Sequence, residues 1–130
     1  MRFLDTNVLV YAFEADERGA IAQSLLEAGG IIAIQSLNEF TDVMRRKLRM
    51  SWHDIGNAIE ELLLSCTLFE PVSAEIHAAG RMIAEQHQLR IFDAMLVATA
   101  LAAGCDTFVS EDLNAGMVFD GRLTVSNPFS

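Results

Sequence analysis

Apolar residues fall along this chain in two kinds of block. Short uninterrupted runs read as strands: Arg2-Phe3-Leu4, which stops at Asp5; Ile31 to Ile34; Thr67-Leu68-Phe69; Thr107-Phe108-Val109; and Leu123-Thr124-Val125. Between them lie stretches of helical period. Val8 to Phe13 opens the first, and Ile21 to Ala28 continues to a stop at Gly29-Gly30. Ser36-Leu37-Asn38-Glu39 has the form of a capping box, and Leu37, Phe40, Val43, Met44 and Leu48 then mark one helical face. Ser51 to Leu64 predicts a helix with Ile55, Ile59, Leu62 and Leu63 inward. Ser73 caps another, running to about Gln88, with Ile76, Gly80 and Ile83 inward. The most apolar helix runs from Ala94 to Ala103 and ends at Gly104. Strands alternating with helices predict the α/β class, with four or five strands in a mainly parallel sheet.

Composition sharpens that picture. With 130 residues there is room for a single domain over 1–130. The chain is 52% hydrophobic and its mean hydropathy is +0.29, which excludes disorder and suits a sheet covered by helices on both faces, a three-layer α/β/α arrangement. Only Cys66 and Cys105 are present, too few for a disulfide scaffold. They read as reduced, buried small hydrophobes, as in a cytoplasmic protein. No apolar run is long enough to span a bilayer, and Asp5 breaks the opening stretch in a way a signal peptide does not. The formal net charge of −9 opposes long-range attraction to a polyanion. Four of the nine basic residues, however, sit within five positions: Arg45, Arg46, Lys47 and Arg49.

Four acids occupy matching places in this pattern. Asp5 ends the first strand, and Glu39 lies in the first turn after the second. Asp93 opens the most apolar helix, and Asp112 follows the fourth strand. In an open α/β sheet the carboxyl ends of the strands share one edge, so all four acids point there. Crowded carboxylates repel, and a hard divalent cation relieves the repulsion. Each acid also has a simpler reading by itself. Asp5 is a turn acid, Glu39 half of a capping box, Asp93 a partner of the helix dipole and Asp112 a loop acid.

Leu4-Asp5-Thr6-Asn7, Leu37-Asn38-Glu39-Phe40, Ile91-Phe92-Asp93-Ala94 and Val109-Ser110-Glu111-Asp112-Leu113 together resemble the motif set of a PIN domain, and more narrowly of VapC-type toxins of bacterial toxin–antitoxin pairs. The likeness runs from Met1 to the closing Asn127-Pro128-Phe129. It implies an endoribonuclease dependent on Mg²⁺ or Mn²⁺ that cuts structured or translation-related RNA. Asp5, Glu39, Asp93 and Asp112 match the family's acidic, metal-binding quartet, with Thr6, Asn7 and Ser110 as supporting polar residues. It further implies a homodimer and a VapB-like antitoxin. Arg90 departs from the pattern, standing where many relatives carry a small serine. It reads as a partner for one of the acids, a phosphate contact or an obstruction.

Helical geometry puts Arg46 two turns beyond Glu39, about 10 Å along the axis on nearly the same face, within reach of a neighbouring phosphate. The Arg45–Arg49 cluster reads either as an RNA contact or as a solvated helix end matching its dipole. His53, His77 and His87 fall in no motif and read as surface or packing residues. The chain lacks a Gly-x-Ser-x-Gly motif and a phosphate-cradling glycine loop, so serine-hydrolase and triphosphatase chemistry have no carrier. Trp52, Tyr11 and the phenylalanines are too scattered for a base-stacking platform. Two other classes stand beside the nuclease. One is a non-catalytic PIN-like module that binds RNA or protein, for which four converging acids have no use. The other is a phosphatase using Asp5 as nucleophile, which wants an acid where Asn7 stands.

Overall fold

The computed structural model describes residues 1–130. Its elements run β1 (Arg2–Leu4), α1 (Thr6–Tyr11), α2 (Glu17–Ala28), β2 (Ile31–Ala33), α3 (Ile34–Arg46), α4 (Trp52–Ser65), β3 (Thr67–Phe69), α5 (Ala74–His87), α6 (Ile91–Ala102), β4 (Thr107–Val109), β5 (Val118–Phe119) and β6 (Leu123–Ser126). They form one six-stranded sheet in the order β3-β2-β1-β4-β6-β5. Every pair is parallel except β5 with β6. The α/β expectation holds, with six strands in place of four or five. The extra strand, β5, has two residues and pairs antiparallel at the sheet edge, so it has no long apolar run to announce it.

Successive strand residues feed two cores, as the period of two requires. Leu4, Ile32 and Val109 face a cluster with Val8, Leu9, Phe40, Met44, Ile55 and Leu62, beneath α1 to α4. Phe3, Ile31, Ala33, Phe108 and Val125 face the other, with Leu96, Val97 and Ala100 of α6. Phe3 and Phe108 stack across β1 and β4 at 5.4 Å. Helix α5 forms its closest packing on α6, where Gly80 lies against Met95 and a Cβ would collide with the sulfur. Both cysteines are free and buried.

The helices start earlier than the apolar pattern implies. Asp5 accepts from the Thr6 amide and caps α1, which starts at Thr6, two residues ahead of Val8. Asp16 caps α2 at Gly19, and Arg90 is the cap residue of α6, so Asp93 lies inside the first turn. The largest correction concerns Ser36. Helix α3 begins at Ile34, leaving Ser36 three residues past the cap, where its hydroxyl accepts from the backbone amide of Ala33 at 3.1 Å. Ser36 therefore does not cap the helix with Glu39 as its reciprocal partner, and the Glu39 carboxylate is free for other contacts. Leu63 is exposed, 100° round α4 from the buried stripe of Ile55, Ala58 and Leu62, and Leu48 lies beyond the end of α3 in solvent. No helix is long and apolar enough to cross a membrane.

Candidate active site

In the strand order, β2 and β3 lie on one side of β1, and β4 and β6 on the other. The chain thus changes direction between β1 and β4, and open α/β sheets form their crevices at such a point. Asp5 follows β1 directly, and its amide extends the ladder by donating to the Val109 carbonyl at 2.9 Å. Ser110 follows β4 and is fully buried. Its hydroxyl donates to Asp5 Oδ2 at 2.7 Å and accepts from the amide of Asp112 at 3.0 Å. Asn7 completes the junction. Its Nδ2 reaches Asp5 Oδ2 and Ser110 Oγ at 3.4 Å each, and its Oδ1 accepts from the amide of Glu111 at 3.4 Å. These contacts fix Asp5 in orientation while leaving it 5% exposed.

Glu39 arrives from the second turn of α3. Thr6 Oγ1 donates to its Oε1 at 2.8 Å, and Gln35 Nε2 donates to its Oε2 at 2.7 Å. Asp93 projects from the first turn of α6, and Asp112 from the loop after β4. Glu39, Asp93 and Asp112 line one cleft of about 540 Å³ with Thr6, Asn7, Tyr11, Arg90 and Phe92; Asp5 is outside the lining, buried next to it and bonded to the amide of Thr6.

The electrostatics are those of like charges held together. Burial pushes the Asp5 carboxyl up to about 7, the bonds from Ser110 and Thr6 pull it back, and Asp112 and Asp93 raise it further. Burial and then Asp112 also raise Asp93, with Arg90 opposing and Glu39 adding to the rise. None of the five ion pairs includes a member of the quartet. Arg90 is thus a field on Asp93 rather than a bonded partner. No three His, Cys, Asp or Glu side chains are close enough to enclose an ion as they stand. The donor set suits Mg²⁺ or Mn²⁺ all the same. Such ions take hard oxygen ligands, and Mg²⁺ is commonly held by one or two carboxylates while it keeps waters.

The basic cluster divides. Arg46 and Lys47 line the cleft, and Arg46 is bound to Asp42 at 3.0 Å. Arg45 turns the other way, donating to the Met50 carbonyl at 3.1 Å and lying over the Trp52 ring at 5.1 Å. Arg49 sits in the left-handed turn after α3, with φ 53°, outside the cleft. The sequence reading gives the lining residues Asp42, Tyr11 and Phe92 no place in the site, and it also misses Gln35, which is outside the lining but donates to Glu39. Tyr11 donates to Glu111 at 2.9 Å. Gln35 and Glu39 are an i, i+4 pair, a signal that becomes visible only once the helix is known to start at Ile34.

The model of the PIN domain family matches residues 2–116, and the chain belongs to that family. A search of curated proteins found no match. Among solved structures, the chain resembles a toxin–antitoxin complex from Klebsiella pneumoniae, with a TM-score of 0.74 and 20% identity over 99% of this chain and 98% of that one. It resembles VapC20 of Mycobacterium tuberculosis, a toxin that cleaves the sarcin–ricin loop, with a TM-score of 0.68 and 17% identity over 83% and 87%. It also resembles FitAcB of Neisseria gonorrhoeae, with a TM-score of 0.61 and 22% identity over 99% of each chain. At these identities the likeness establishes the fold.

Proposed function

We propose that the chain is a metal-dependent endoribonuclease, the toxin of a VapBC-like toxin–antitoxin pair, acting on structured or translation-related RNA. One observation carries this reading: Glu39, Asp93 and Asp112, from separate segments, line one cleft at the switch point of a PIN-domain sheet, and Asp5 is buried next to it within the field of Asp93 and Asp112. The solved structures that share this fold include a toxin and a toxin–antitoxin complex, which favours the toxin role and a VapB-like antitoxin as partner. A homodimer in the cytoplasm is part of the same proposal.

Asp5, Asp93 and Asp112 would hold the Mg²⁺ or Mn²⁺. A cation bound there would lower the pKa of a water and offset charge on the scissile phosphate. Glu39 would orient the attacking water, take its proton or complete the metal's ligand set, since each of its oxygens retains a free lone pair beyond the bonds from Thr6 and Gln35. Ser110, Asn7 and Thr6 keep the acids in place. Lys47, Arg46 and Arg90 receive the flanking phosphates, which lets a chain of net charge −9 bind RNA locally.

Water attacks phosphorus and the bond to O3′ breaks, leaving a 5′-phosphate and a 3′-hydroxyl. End analysis of the cleaved RNA tests this route. A 2′,3′-cyclic phosphate would identify a 2′-hydroxyl nucleophile and overturn the mechanism.

A further inference from the structure

Gln35, just outside the cleft lining, makes two bonds that join Glu39 to the start of α6. Its Nε2 donates to Glu39 Oε2 at 2.7 Å and to the backbone carbonyl of Phe92 at 2.9 Å. A carbonyl oxygen accepts and never donates, so the amide nitrogen must face these partners, and both of its N–H groups are used. The first bond lies within α3. The second reaches 57 residues along the chain to the first turn of α6, beside Asp93.

Glu39 is consequently gripped from two sides, by Thr6 on one oxygen and Gln35 on the other. A glutamate turns about three side-chain bonds, and the like charges of Asp42, Asp93 and Asp112 in the same cleft favour its swinging outward to solvent. No other side chain in the first turn of α3 restrains it. Ile34 is apolar, and Ser36 is turned back on the amide of Ala33. We infer that Gln35 is a positioning residue, whose amide fixes the Glu39 carboxylate over the cleft and ties the start of α3 to the start of α6. The inference rests on the nuclease reading above, in which Glu39 acts on water at the metal.

The test compares wild type, Gln35→Met, Glu39→Ala and the double variant. Methionine keeps the length and bulk of Gln35 and removes both donors. Each protein is assayed for RNA cleavage and titrated with Mn²⁺ alone, followed by electron paramagnetic resonance of the free ion. Gln35→Met is expected to lower kcat and Mn²⁺ affinity by roughly 10- to 100-fold, the usual range for residues that orient metal-site groups. KM for RNA should stay within about 2-fold, because the phosphate contacts are untouched. In the Glu39→Ala background the same change should add little to either loss, since residues acting through one another are not additive.

Wild-type kcat and Mn²⁺ affinity in Gln35→Met would overturn the inference. So would equal, additive losses in both backgrounds, which would reduce Gln35 to a helix-packing residue. If wild type itself cuts no RNA, the nuclease reading fails and the Mn²⁺ titration decides Gln35 alone. Weaker binding that disappears with Glu39→Ala supports its role, and unchanged or absent binding ends it.

Discussion

Ser110 gives its hydroxyl proton to Oδ2 of Asp5 at 2.7 Å, joining residues 105 positions apart across the ends of β1 and β4. The Ser110 Oγ in turn accepts from the amides of Asp112 and Leu113, at 3.0 and 3.4 Å. Ser110 therefore holds the loop that carries one acid against the buried carboxylate of another. Ser110→Ala should destabilise the protein by about 1–3 kcal/mol, the usual consequence of leaving buried polar groups unpaired. It should also move the rise in cleavage with pH to higher pH, because Asp5 loses a bond that favours its charged form. Thermal melts and a pH–rate profile check both effects. An unmoved profile would mean that Ser110 supports the loop and not Asp5.

Asp5 makes the metal-free protein least stable at alkaline pH. Its carboxyl is at about 7 when folded, raised chiefly by burial, and returns to 3.8 when unfolded. Between those values the folded state binds more proton than the unfolded state, so stability falls as pH rises through the window and levels off above it. The contribution is on the order of 4 kcal/mol. Asp5→Asn lacks this titration. In EDTA its melting temperature relative to wild type should climb from about pH 4 to about pH 7 and then hold steady. The lost Ser110 bond shifts that difference by a constant and leaves its slope. A difference flat with pH would contradict the burial of a titrating Asp5. Added Mn²⁺ should raise the wild-type melting temperature and leave Asp5→Asn little changed.

Thr6 offers a sharper test than its short side chain implies. Its hydroxyl donates to Glu39 at 2.8 Å while its backbone amide donates to Asp5 at 2.7 Å. Thr6→Ser keeps both donors and should cleave RNA at close to the wild-type rate. Thr6→Val keeps the shape and loses the hydroxyl bond, and should lower kcat by roughly 10-fold or more. Equal rates for the two variants would remove Thr6 from the support of Glu39.

Three positions of one basic cluster should behave differently. Lys47 lines the cleft without an ion-pair partner, so Lys47→Ala should weaken RNA binding and reduce the salt slope by about one. Arg46→Ala should weaken it further, because Asp42 is then left as an unpaired negative charge in the cleft. Arg45→Ala should leave the slope unchanged, since Arg45 is held on Trp52 and the Met50 carbonyl. Binding titrations at several salt concentrations separate the three. A slope that falls with Arg45→Ala would place RNA along the outer face of α3.

Much of this arrangement is legible in the chain because two signals agree. The apolar runs locate the five longer strands, and an acid stands just after or near the end of the segments that build the site. The first four-residue motif already contains Asp5, Thr6 and Asn7, so the centre of the site is local in sequence. What the pattern misreads depends on contacts between distant segments. Ile34 extends an isoleucine run and looks like strand, yet it begins α3, and Ser36 mimics a cap from inside the helix. That single shift hides the pairing of Gln35 with Glu39. The separation of Arg45 from Arg46 and Lys47 is equally invisible, because it rests on the turn at Arg49 and on where Trp52 falls. The short β5 forms only because β6 is there to pair with it.

The most direct measurement is cleavage of a mixed tRNA and rRNA pool by purified, antitoxin-free protein, with Mg²⁺ or Mn²⁺, with EDTA, and with Asp5→Asn alongside. Discrete fragments that require the metal and vanish in Asp5→Asn are the predicted result. Intact RNA with both metals from well-folded protein, or fragments that persist in Asp5→Asn, would contradict a nuclease centred on Asp5.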